Sequence, residues 1–347
     1  MTNRIAESLE DDPRSPLSPR NVAIGIALFL VFTAAGLGAV AWWAARSDAE
    51  IVSEITHASK VFVLVALGLT LVESIAGGFR IWILAREMLP GFRIRDGLRT
   101  HLYLLFAAGV TPMQLGGGPA QYIVLRSRGL RPHDAIAVLS ISWVGGILAL
   151  GLLAGGGIAY LMAVGRVDLG AVVGTLLFTV AVLFGIGIAI TVFPSAITRL
   201  LHGVKGMRRG RVGRRVLRGA ARYRRNIRLF QSSKRTAWSI NTGINLLMVL
   251  LRGATGLAVA AALGVLFPPL EGMARQMIQF AVISVAPSPA GSGVAELTTV
   301  GLMTSLVPAS VMLAYTVLWR VFTSYLGVFA GAFVVIRDLI ATGRPGG

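Results

Sequence analysis

Thr111-Pro112-Met113-Gln114-Leu115-Gly116-Gly117-Gly118-Pro119 interrupts an apolar stretch running from Arg99 to Arg126. Ala286-Pro287-Ser288-Pro289-Ala290-Gly291-Ser292-Gly293 interrupts another, from Glu271 to Pro308. Both breaks lie inside hydrophobic sequence, where proline and glycine stop a helix without any polar segment to carry the chain away. Twelve helical residues before the first break reach only about 18 Å, short of the roughly 30 Å of a bilayer core. Each stretch therefore reads as a re-entrant helical hairpin that enters the apolar phase, turns near its middle and leaves on the side it came from.

The surrounding sequence supplies that apolar phase. Hydrophobic residues make up 55% of the 347, with only 14% charged, and the mean hydropathy is +0.74. A soluble chain of this length needs far more charge, so the bilayer is its solvent. Full-length apolar runs lie at Val22–Ala45, Val61–Leu84, Ala135–Val164, Ala171–Phe193, Trp238–Leu266 and Val311–Ile336, about six spans in all. The first follows a polar segment of mixed charge, residues 1–21, and is too long for a signal-peptide core. It reads as a retained anchor.

Charge sets the orientation. The net charge is +18, yet the basic residues collect between apolar runs. Between Arg199 and Arg235 stand fourteen Lys or Arg and no acid, which places the loop 196–236 in the cytoplasm. Counting outward puts both termini inside, in a cytoplasmic (inner) membrane. Positive-inside orientation and anionic lipid headgroups account for the basic loop without any nucleic-acid partner. With no cysteine, and with His57, His101, His133 and His202 scattered, the sequence offers no metal site and no cofactor motif.

Laying the two breaks together at an offset of 175 pairs Pro112 with Pro287, Gly116 with Gly291, Gly118 with Gly293, and Gln121 with Glu296. Each half then reads as two spans, a hairpin and one more span, in opposite orientations. The result is an all-α polytopic protein with an inverted-topology internal repeat: a first repeat over 22–165 with its hairpin at 99–126, a second over 166–337 with its hairpin at 271–308, and a tail, 338–347, in the cytoplasm.

Irregular backbone at membrane depth must face protein or a cavity, because unpaired amides in lipid cost several kcal/mol each. The exposed start of a returning helix attracts an anion such as phosphate. The candidate substrate-binding residues are therefore Gln114, Gly116, Gly117, Gly118 and Gln121 at the first hairpin and Ser288, Gly291, Ser292, Gly293 and Glu296 at the second. Arg252 and Arg320 within spans join them, with Glu73 as a possible buried charge partner. The same glycines also suit close helix packing, Arg252, Arg320 and Glu73 also suit structural ion pairs, and Arg80 and Arg126 suit snorkelling toward the membrane surface.

At these hairpins the sequence resembles the lysylphosphatidylglycerol synthase transmembrane-region family of flippase-like proteins. The resemblance rests on TPMQLGGGPAQYIVLRSRG (Thr111 to Gly129), APSPAGSGVAE (Ala286 to Glu296) and LWR (Leu318 to Arg320). The second string is similar to the family's Pro-Gly-Gly-x-Gly-x-x-Glu pattern. The resemblance implies a domain that moves an anionic, aminoacylated, polyprenyl-linked or glycosylated lipid between leaflets. Members that also make the lipid carry a cytosolic aminoacyl-transferring domain, and this sequence, running to Gly347, has no room for one, so the expectation is transport without synthesis. Gln121 or Gly118 stands where many relatives have Glu, and Ala290 where glycine is usual. Substrate identity is therefore not carried over from the aminoacyl-lipid branch. Two other functions fit the same plan: an accessory subunit of a membrane glycosyltransferase, docking through the basic loop, and a secondary transporter of a small solute or ion. A homo-oligomer fits either.

Overall fold

The computed structural model describes residues 51–166 and 211–342, with isolated positions at 27, 31, 34, 35, 38, 42, 182 and 185. The expected spans Val22–Ala45 and Ala171–Phe193, the segment 1–21, most of the basic loop before 211 and the last five residues lie outside the described residues. Among the described residues the chain is helical, with no strand. The helices are α1 (Ile51–Thr56), α2 (Lys60–Ala85), α3 (Ile94–Val110), α4 (Gly117–Ser127), α5 (Pro132–Ala163), α6 (Arg211–Gln231), α7 (Arg235–Ala262), α8 (Pro269–Ser284), α9 (Val294–Met303), α10 (Ala309–Arg320) and α11 (Leu326–Thr342).

Among the described residues four helical stretches are long and apolar enough to cross a membrane: Lys60–Ala85, Pro132–Ala163, Arg235–Ala262 and Ala309–Asp338. They coincide with four of the expected apolar runs. The last is continuous through a π-helical turn, Val321–Tyr325, joining α10 to α11. Such a turn inserts an extra residue and re-aims the side chains beside it.

α3 with α4, and α8 with α9, form two helix–turn–helix units. Asp96 accepts a hydrogen bond from the Arg93 amide at 3.4 Å and so starts α3 earlier than expected. Its 17 residues make an arm of about 25 Å, and the ten of α9 one of about 15 Å, so no arm matches a full bilayer core. An arginine closes each foot. Arg128 meets Asp96 at 3.0 Å in the first unit. In the second, Arg275 meets Glu271 at 2.7 Å and donates to the Leu302 carbonyl at 2.5 Å.

The tips are two short 3-10 turns, Pro112–Gln114 and Pro289–Gly291, and they pack against one another. Their backbones match: φ is 52° at Met113 and 50° at Ala290, then 58° at Gln114 and 67° at Gly291. The matching turns start at Pro112 and Pro289, an offset of 177, which corrects the register of 175 by two residues. Glu296 is then the counterpart of Pro119, and Gln121 of Thr298. Proline and glycine identities admit either register, whereas the left-handed residue pair allows one.

Small residues bring the helices close, as membrane packing requires where no hydrophobic drive separates lipid from protein. A Cβ on Gly78 would lie 2.6 Å from the Leu98 Cα, and one on Gly97 2.5 Å from the Gly78 carbonyl oxygen, so α2 and α3 cross backbone to backbone. Gly331 of α11 does the same against Leu102 of α3. Arg99 and Tyr103 add polar ties to Asp338 at 2.7 and 2.9 Å. One core joins α2, α4, α5 and α6 through Ile81, Leu84, Leu125, Ile141, Ile227 and Phe230. A second joins α7 to α10 through Val259, Met303, Tyr315 and Trp319.

Candidate functional site

Between α2, α3, α7, α8 and the last span, beside the two tips, lies a cavity of about 330 Å³. Its polar wall is built by helical spacing. Glu73, Gly77 and Arg80 stand at i, i+4 and i+7 on α2, and Asn241, Asn245 and Arg252 at i, i+4 and i+11 on α7, so each set shares a face. The two faces meet because α2 and α7 form the most extensive helix pair among the described residues. His101 of α3 enters from the third side, its ring seated against Gly77, where any side chain would displace it.

Glu73 pairs with Arg252, and Arg80 donates to the side-chain carbonyl of Asn245. Asn245 in turn donates to the Asn241 carbonyl at 2.8 Å. The Arg252 guanidinium also sits over the Phe280 ring, 5.3 Å from its centre, which holds the charge at the cavity wall. Gln114, from the first tip, and Ala290, from the second, line the same space. Gln114 holds a left-handed backbone conformation there, a strained state of the kind found at ligand contacts.

The expected site residues divide into two groups. Gln114, Arg252 and Glu73 line the cavity. Glu296 and Arg320 do not: they pair with each other at 2.9 Å with both side chains fully buried. Glu296 accepts a hydrogen bond from the Gly293 amide at 2.6 Å, and Arg320 donates to the Ala290 carbonyl at 3.1 Å and the Ser292 hydroxyl at 2.8 Å. This corrects the assignment of Glu296 and Arg320 to the cavity, because their polar groups are turned into the second tip and hold its shape.

The remaining expected residues, Ser292 among them, do not line the cavity. Ser288 and Gln121 are buried away from the cavity. Gly116 and Gly117 leave room for Thr111 and Leu104, and Gly291 and Gly293 supply positive φ at 67° and 83°. Gly118 is exposed with nothing near it.

Arg80 and His101 belong to the cavity, and the sequence reading left them out. Arg80 reads as a snorkelling residue because it stands near the end of its span, but its seven-residue spacing from Glu73 puts both on one face. His101 carries no such periodic signal, since its partner surface is a glycine on another helix. Among the described residues no group of three His, Cys, Asp or Glu could hold a metal ion.

Residues 22–331 match the family described as lysylphosphatidylglycerol synthase TM region. No curated protein matches the chain.

Proposed function

The chain belongs to the lysylphosphatidylglycerol synthase TM-region family of multi-pass membrane proteins, and from that premise we propose that it moves a lipid between leaflets. The lipid is anionic, aminoacylated, or of the polyprenyl or glycolipid kind. Its headgroup enters the cavity beside the hairpin tips while its acyl chains stay in the bilayer. The observation that carries this reading is a cavity inside a membrane protein holding Arg80, Arg252 and Glu73. Ionisable groups at that depth are expensive and mark substrate pathways.

In this reading the two helix–turn–helix units are re-entrant hairpins that dip from opposite faces and meet near mid-membrane. Arms too short to span, and two tips of like backbone in mutual contact, support an inverted repeat of the transporter type. The basic loop faces the cytoplasm with both termini, in the inner membrane, and anionic headgroups are its partners. The role is transport rather than synthesis.

Purified protein in liposomes is expected to accelerate exchange of at least one fluorescent headgroup-labelled lipid between leaflets, and Arg252→Ala to slow that exchange at least about tenfold. Failure to accelerate exchange of any lipid across a panel of anionic, aminoacylated and isoprenoid headgroups overturns the proposal.

A further inference from the structure

At the offset of 177 the two tips correspond residue by residue. Gly116 and Gly293 each stand just before a returning helix, and the amide of each finds a side-chain oxygen: Gly116 donates to the Thr111 hydroxyl at 2.8 Å, Gly293 to the Glu296 carboxylate at 2.6 Å. The two oxygens are anchored differently. Thr111 donates onward to the Ala107 carbonyl at 2.6 Å, so its bonds stay within the first hairpin. Glu296 pairs with Arg320 of the last span, which also donates to the Ala290 carbonyl and the Ser292 hydroxyl. The second tip is therefore tied to an element outside its own hairpin. Among the described residues no side chain from outside the first hairpin hydrogen-bonds to residues 111–116. The hydroxyl of Ser288, the counterpart of Thr111, is buried without a partner, its place at the equivalent amide taken by Glu296.

Strain and exposure are divided in the same way. Met113 and Gln114 both hold positive φ without being glycine, whereas the second tip has Ala290 followed by Gly291. Pro112 to Leu115 are all exposed among the described residues, while Ser288, Pro289, Gly291 and Ser292 are buried. Left-handed backbone at ordinary residues persists only where the surroundings hold it, and here one hydroxyl does so. Segments with few buried contacts and few bonds to the rest of a protein are the ones that open at the lowest free energy.

We propose that the first tip is a moving gate that opens and closes against a fixed second tip. Thr111 is the positioning residue that holds the closed form, and the packing of tip on tip is the closing contact. Opening carries Gln114 away from the cavity and changes access to it. The motion itself follows from how the tips are held; that it serves lipid movement rests on the transport reading.

The chain has no cysteine, so nitroxide labels can be placed in pairs without altering it further. Leu115→Cys and Pro287→Cys, an exposed site at each tip, are each combined with Ser232→Cys in the exposed turn between α6 and α7. Distances are measured by double electron–electron resonance on the full chain in nanodiscs of phosphatidylethanolamine and phosphatidylglycerol. The Leu115 pair is expected to give a distribution at least about twice as wide as the Pro287 pair, or two maxima. Thr111→Val, which keeps the shape of the side chain and loses both hydrogen bonds, should move the Leu115 population toward the open distance, and Thr111→Ser should restore it. In liposomes Thr111→Val should slow leaflet exchange at least about threefold while a thermal melt shows that the protein remains folded.

Equal widths at the two tips of the native protein overturn the inference. So does a folded Thr111→Val protein with an unchanged Leu115 distribution, or one whose tip opens while lipid exchange keeps its native rate. A first tip that moves in a protein exchanging no lipid overturns the transport reading and leaves the motion standing. Exchange with both tips equally still overturns the gate and leaves the transport reading in place.

Discussion

The two hairpins share a turn but not a means of holding it. In the second, the Glu296–Arg320 pair is sealed at zero exposure and grips the Gly293 amide, the Ala290 carbonyl and the Ser292 hydroxyl. Gln276 adds bonds to Tyr315 at 2.7 Å and Trp319 at 2.8 Å, and Gln279 one to Thr299 at 2.6 Å. In the first, the turn is held by Thr111, which donates to the Ala107 carbonyl at 2.6 Å and accepts from the Gly116 amide at 2.8 Å. Met113 and Leu115 at its tip are 51% and 69% exposed. One turn is clamped by buried charge and the other by a single hydroxyl. Two turns of like backbone are thus held by different means, and each brings one residue to the cavity, Gln114 from the first and Ala290 from the second.

The largest effect is expected from breaking the clamp. Arg320→Ala strands a buried carboxylate and should destabilise the protein by about 3–5 kcal/mol, read as a lowered melting temperature in detergent. The double change Glu296→Gln with Arg320→Met should recover much of that loss. A melt unchanged by Arg320→Ala would remove the contrast between the hairpins.

Gly291→Ala comes next. It demands a left-handed alanine whose Cβ would lie 2.5 Å from the Ile283 Cγ2 atom, and should cost about 2 kcal/mol. Gly118→Ala in the first hairpin meets open space and should change stability by less than about 0.5 kcal/mol. Equal losses at the two positions would show that the hairpins are equally tight.

At the cavity, Glu73→Gln should cost less than about 1 kcal/mol of stability, because Arg252 keeps a third of its side chain exposed. Its effect should appear instead in leaflet exchange, since it frees Arg252 and doubles the uncompensated charge. Met113→Gly and Ala290→Gly relieve positive φ while loosening the unfolded chain, and the two opposing terms should leave changes no larger than about 0.5 kcal/mol in the melt.

Much of the architecture was legible beforehand. Four of the apolar runs coincide with span-length helices, and both proline–glycine breaks became turns, because a bilayer leaves few ways to satisfy a backbone. The site was legible only in part. Glu73 and Arg252 stand out as charges within apolar runs and do meet, but Glu296 and Arg320, which stand out equally, meet each other instead. Arg80 looked peripheral because position along a span says nothing about the face. His101 gave no pattern at all, since what admits it is the missing side chain of Gly77 on another helix.

For the hairpins themselves, sequence alone determined that the helices break at two proline–glycine segments within apolar sequence, since hydropathy and the residues that break helices are local properties. The tertiary structure alone decided the register of the turns, which charges clamp them and which charges line the cavity. Those outcomes depend on partners distant along the chain: Glu73 and Arg252 stand 179 residues apart, and only the packing of their helices brings them together.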